Sequence, residues 1–169
     1  MAEFDHPDLA PSDAVVALRS FPRRWRGLLA TDDDDPEGVA ARHPPGGGWS
    51  ALDHAGHVAN ALDAASDDLA QTLRADDLAI TDPATAPTSS PSGINATLDR
   101  LAAAADRLAG VIGGASAEDW TRPAYLPDGR AVNALWLVRA AVQEGARHLR
   151  QAEAVIAQVK GRPPTEDDE

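Results

Sequence analysis

Between residues 94 and 112 six apolar side chains, Ile94, Leu98, Leu101, Ala105, Leu108 and Ile112, fall at intervals of 4, 3, 4, 3 and 4. A helix of 3.6 residues per turn places all six on one stripe, whereas a strand would divide them between two faces. Such a stripe must be covered by other elements. Three further stretches supply matching stripes. The first carries Val15, Leu18, Trp25, Leu28 and Leu29, starts at a Ser12 cap, runs to about Ala30, and is expected to kink or divide at Pro22. The second runs from about Ala51 to Leu73 with Ala55, Val58, Leu62, Ala65, Leu69 and Leu73 on one side. The last runs from Val132 or Asn133 to Val159, with Leu137, Val138, Ala141, Val142, Leu149, Ala152, Ile156 and Val159.

The pattern predicts an all-α fold, a four-helix bundle in which the third helix starts near Ser92 or Gly93 and ends at Gly113-Gly114. Residues 31–48 read as a polar loop and 115–131 as irregular, with a turn at Pro127-Asp128-Gly129. The Pro-, Ser- and Thr-rich stretch 75–92 is long enough for a crossover between the second and third helices. No segment shows strand periodicity. Residues 1–11 read as an N-terminal arm, 12–160 as the bundle, and 161–169 as a disordered acidic tail.

Composition narrows the function. There is no cysteine, which excludes disulfides, thiolate metal sites and a cysteine nucleophile. The formal charge of −12 disfavours nucleic acid as a partner. No apolar run approaches the ~18 residues of a membrane span, and the acidic N-terminus lacks the pattern of a signal peptide, so a cytoplasmic location is the expectation. Arginine is common and lysine occurs once, a bias consistent with a GC-rich, actinobacterial type of genome.

Candidate chemistry gathers on two helices. After the breaker run Pro44–Gly48, Ser50 and Asp53 form an approximate capping box, and His54 and His57 follow within two turns. On the last helix Glu144 and His148 are spaced i,i+4 and point to one side. Imidazole nitrogen and carboxylate oxygen suit zinc, nickel or iron(II), and one added histidine would give three ligands with a position open for water or substrate. Helical-wheel arithmetic places His54 nearer the apolar stripe than His57 and so favours His54 as the inward residue. Trp49, Trp120 and Trp136 could wall a pocket, Arg147 and Arg150 could draw an anion, and Tyr125 and Arg130 lie in a loop where a substrate could be gripped.

Two anchors carry a family resemblance. Trp49, Ser50, Asp53 and His57 form Trp-Ser-x-x-Asp-x-x-x-His, and Glu144, Arg147 and His148 form Glu-x-x-Arg-His. At these residues the chain resembles the DinB-like superfamily, which includes mycothiol-dependent maleylpyruvate isomerases and related thiol transferases. The resemblance implies a divalent metal, zinc first and nickel or iron next, held by His57, Glu144 and His148. It selects His57 against the wheel. The Glu at the first position of the last-helix pair is the choice of the isomerase-like branch, where many other members have His. Position 151, a further histidine in some relatives, is Gln151 here. The implied function is activation of a low-molecular-weight thiol, mycothiol-like, against a small electrophile. Hydrolysis by metal-bound water and a non-catalytic binding or stress-related bundle are the alternatives. Trp49, His54, Tyr125, Arg130 and Arg147 are the expected substrate or cofactor contacts. A homodimer is compatible with the pattern, though no stripe identifies its face.

Overall fold

A computed structural model describes residues 4–30, 38–88 and 93–161. Its elements are α1 (Pro11–Leu28), α2 (Gly38–Ala41), α3 (Ala51–Thr72), β1 (Leu78–Ala79), a 3₁₀ turn (Pro83–Thr85), α4 (Ile94–Gly113), a second 3₁₀ turn (Ala117–Thr121), β2 (Pro123–Tyr125), β3 (Ala131–Asn133) and α5 (Ala134–Val159). The four long helices, α1, α3, α4 and α5, make the expected bundle. All six residues of the 94–112 stripe are buried. So are Ala55, Val58, Leu62, Ala65 and Leu69 of α3, while Leu73 packs at the margin.

The main neighbours of α3 are α4 and α5, and those of α1 are also α4 and α5. Side-chain pairs give the directions. Arg100 donates to Asn60 Oδ1 at 2.6 Å and Arg107 pairs with Asp67. Both numbers rise together, so α3 and α4 run parallel. His54 meets His148 while His57 meets Glu144, so α3 and α5 run antiparallel. Parallel neighbours cannot be joined by a tight turn; the chain must return about 30 Å along α3 first. It does so visibly. Thr81 N–H donates to Asp68 Oδ2 at 2.7 Å, and six residues later Pro87 O accepts from Asn60 Nδ2 at 2.7 Å. The connection therefore runs backward beside α3, burying Ile80, Pro83 and Ala86. This is the crossover expected from its length; residues 89–92 lie outside the described part.

Four local expectations are corrected. Ser12 does not cap α1: Ala10 occupies that place and Pro11 is the first helical residue, where its missing N–H and fixed φ are harmless. Pro22 does not divide α1, which continues to Leu28 with Leu18, Phe21 and Trp25 holding it to the core. Within the 31–48 loop the single turn α2 forms, residues 31–37 being outside the described part. The stretches between helices also contain strands: β1 pairs parallel with β2, and β2 antiparallel with β3. Each strand is two or three residues long, too short to display an alternation in sequence. The expected Pro-Asp-Gly turn links β2 to β3, with Gly129 at φ 81° and its N–H donating to Leu126 O.

Residues 4–10 lie against α5: Phe4 meets the Trp136 ring, Arg150 pairs with Asp5, and Arg139 donates to Leu9 O. The stretch 162–169, read from sequence as a tail, is outside the described residues. Among the described residues no helix is long and apolar enough to cross a membrane.

Candidate metal centre

The centre begins with the start of α3. Ser50 Oγ accepts from Asp53 N–H at 3.1 Å, and Asp53 Oδ2 accepts from Ser50 N–H at 2.8 Å. The capping box is complete despite Asp standing for the usual Glu, and it fixes the first turn from which His54 and His57 project. On α5, the Asn133 side chain accepts from Trp136 N–H and sets that helix's start ten residues before Glu144. Antiparallel packing then brings the second turn of α3 against the middle of α5.

His57, Glu144, His148 and His54 are 2, 4, 4 and 8% exposed. His57 Nε2 lies 2.7 Å from Glu144 Oε1, and His148 Nε2 lies 2.8 Å from the same oxygen. Donor atoms of His57, Glu144 and His148 all lie within 4.8 Å of one another. Arg147 closes the carboxylate from outside: its Nη2 donates to Oε1 at 2.7 Å and to Oε2 at 2.8 Å, and its Nε donates to Oε2 at 3.2 Å. His54 Nδ1 lies 2.7 Å from His148 Nδ1. Trp49 covers the imidazoles, with ring centroids 5.2 Å from His54, 5.2 Å from His57 and 5.6 Å from His148, nearly parallel to the last.

Burial alone would push the Glu144 carboxyl upward. Hydrogen bonds from His148, His57 and Arg147 reverse this and hold it well below the usual carboxylate range, so it is charged at any physiological pH. Burial, reinforced by His148, pushes His54 down from 6.5 to about 4. Burial also lowers His148, against the pull of Glu144. The imidazoles of His54 and His148 are therefore neutral near pH 7, the form in which a ring nitrogen can bind a metal.

These shifts predict how the metal-free protein responds to acid. His54 takes up a proton near its ordinary value when unfolded, but only near 4 when folded. Between those values the unfolded state binds more protons, so stability falls as pH falls. The loss from this residue is about 3 kcal/mol across the window. Glu144 acts outside it, because its folded-state value lies below the ordinary one and its contribution persists at all pH above about 4.5. Urea unfolding at pH 7 and at pH 4.5 should show the drop, and His54→Phe should reduce it, leaving the part that His148, also lowered by burial, contributes.

The structure thus brings together Trp49, His54, His57, Glu144, Arg147 and His148. Wheel and family anchor disagreed over His54 and His57, and both residues are inward: His57 faces the carboxylate, and His54 faces His148. Arg130 and Arg150 make their contacts elsewhere. Tyr125 is half-exposed on β2, and Arg130 lies 5.4 Å over the Trp136 ring. Arg150 pairs with Asp5. The three tryptophans do not wall one pocket, since Trp136 meets Phe4 and Trp120 packs against the core. The Nδ1 contact between His54 and His148 had no counterpart in the sequence reading.

Two imidazole nitrogens and one carboxylate oxygen, converging in a buried place under an indole, form a donor set that fits a divalent cation such as zinc, nickel or iron(II). Fold and site together define a class: helical bundles with a metal-competent cluster between two antiparallel helices. The chain belongs to the DinB superfamily, whose profile matches residues 17–152. Among solved structures it resembles YfiT from Bacillus subtilis, described as "a probable metal-dependent hydrolase with an unusual four-helix bundle topology". That likeness has a TM-score of 0.73 at 13% identity, over 90% of this chain and 88% of the other, and shows the shared fold. No protein of curated function matches the chain significantly in sequence.

Proposed function

We propose that this chain is a metal-dependent enzyme in which His57, Glu144 and His148 hold one divalent cation, zinc first among the candidates, and a low-molecular-weight thiol attacks a small electrophile. The observation that carries the reading is the convergence of His57 Nε2 and His148 Nε2 on Glu144 Oε1 in a buried cluster. A cation bound there would lower the pKa of a thiol or water placed on it. The chain's residues do the rest. Glu144 supplies one negative charge, so a divalent ion held with it and two neutral imidazoles would keep one positive charge in excess, which a thiolate would neutralise. Trp49 limits water at the imidazoles. Arg147, partly exposed and already bonded to Glu144, stands where an anionic group on a substrate would approach. The Glu in place of His on α5 favours the isomerase and thiol-transferase side of the family resemblance.

Hydrolysis with water as nucleophile is the second reading, favoured by the description of YfiT. Elemental analysis of protein purified without chelator or a nickel tag should give about one metal per chain. Thiol consumption should then be found with a panel of electrophiles and should vanish in His148→Ala. Turnover that needs no thiol selects the hydrolase instead, and protein that takes up no zinc, nickel or iron rejects both.

A further inference from the structure

The second imidazole of α3 stands outside the converging set yet touches it. Donor atoms of His57, Glu144 and His148 approach one another within 4.8 Å, and His54 is not among them. Its Nδ1 instead lies 2.7 Å from Nδ1 of His148, with ring centroids 4.9 Å apart and both rings buried. We infer that His54 is a positioning residue of the centre: its Nδ1 accepts the Nδ1 proton of His148, which turns the Nε2 lone pair of His148 toward the cation. This rests on the metal reading proposed above and adds a role for a residue that reading does not use.

Proton counting carries the argument. A neutral imidazole has one N–H. Two ring nitrogens 2.7 Å apart must share a single proton, because two bare lone pairs or two N–H groups would repel at that distance. If His54 holds the proton, His148 Nδ1 is bare, its own proton sits on Nε2 facing Glu144, and Nε2 cannot be a ligand. If His148 holds it, Nε2 is bare and faces the centre, 2.8 Å from Glu144 Oε1, two lone pairs that a cation between them would reconcile, with Arg147 Nη2 3.0 Å from Nε2 as a donor in the cation's absence. His54 then carries its remaining proton on Nε2. The pair thus offers two tautomers of equal total charge, and only the second binds a metal. A carbonyl or carboxylate would serve a ligand histidine as a fixed acceptor; an imidazole serves in either direction, so His148 keeps a buried partner whether or not a cation is present. The contrast with His57 is instructive, since its Nδ1 is buried with no hydrogen-bond partner. The ring of His148 has a hydrogen-bond partner behind it; that of His57 has its Glu144 contact in front and the Trp49 ring beside it.

The test compares wild type, His54→Phe and His54→Asn, with circular dichroism to monitor folding. Phenylalanine keeps the ring against Trp49 and removes the acceptor. Asparagine keeps an acceptor oxygen near the Nδ1 position. Zinc affinity, measured by competition with a chromophoric chelator, should weaken about 10–100-fold in His54→Phe and stay within about 3-fold of wild type in His54→Asn. Cobalt(II) absorption should keep its shape in both, because the ligand set is unchanged. Wild-type affinity in His54→Phe overturns the inference and leaves the metal reading standing. A changed cobalt spectrum in both variants also overturns it, by making His54 a ligand. A wild type that binds neither ion removes both. Independently of any variant, histidine ¹⁵N shifts of the zinc-loaded protein should show His148 protonated on Nδ1 and His54 on Nε2; the reverse tautomers overturn the assignment.

Discussion

Glu144→Gln should reduce zinc or cobalt affinity by more than ~100-fold, beyond the range typical of a residue that only supports a ligand. Among the described residues the carboxylate is the anion that meets His57, His148 and Arg147 together. An amide keeps the shape and one acceptor oxygen, but it has no charge, and its NH₂ would face the guanidinium or an imidazole N–H. The metal-free variant should therefore also lose ~2–4 kcal/mol, because three donors built around a charged acceptor are left with a poorer one. Glu144→His separates the two effects. It restores a ligand of the type many relatives use, so it should recover most of the affinity while leaving Arg147 without its partner. Chelator competition and urea unfolding on the three proteins decide. Equal affinity in Glu144→Gln and wild type would show that the carboxylate is only a structural anion.

Gly145→Ala should destabilise the protein by ~1–3 kcal/mol or more, although in an ordinary helix interior the same change stabilises by about 1 kcal/mol. A Cβ at this position would sit 2.8 Å from Phe21 Cζ and 3.3 Å from Cδ2, and closer still to Cε2. Phe21 is buried on α1 and has little room to retreat. The clash would push α5 away from α1 at the residue next to Glu144, so metal affinity should fall along with stability. Phe21→Leu alone should cost stability by leaving a void. In combination with Gly145→Ala it should recover part of the loss, giving a coupling that a double-mutant cycle reads directly. Additive losses would mean that the two side chains do not meet.

These two residues illustrate what the sequence could and could not convey. Glu144 was legible because an i,i+4 pair with His148 is a property of one helix, and because a family anchor runs through it. The four long helices were legible for the same reason: their stripes depend on local spacing. The crossover was legible from its length. Gly145 was not, since its role is set by a ring 124 positions away in a different helix. The strands were not, being too short to alternate. The choice between His54 and His57 could not be made by a wheel, because α3 touches α4 on one side and α5 on the other, and both histidines fall within that wide buried sector. Tyr125 and Arg130 were singled out by proximity along the chain to α5; the hairpin carrying them pairs with β1, a long-range contact that spacing does not reveal.

The contacts that build the centre are far apart along the polypeptide: 87 positions separate His57 from Glu144, and 94 separate His54 from His148. A ribosome that has not yet delivered the last helix holds a chain that lacks both Glu144 and His148, two of the three proposed ligands. Capture of an ion by the proposed set would therefore follow synthesis of nearly the whole bundle, since two of its three donors arrive last. Selection among competing ions falls to the finished fold, and a truncation before α5 should abolish loading outright, leaving no weakened remnant.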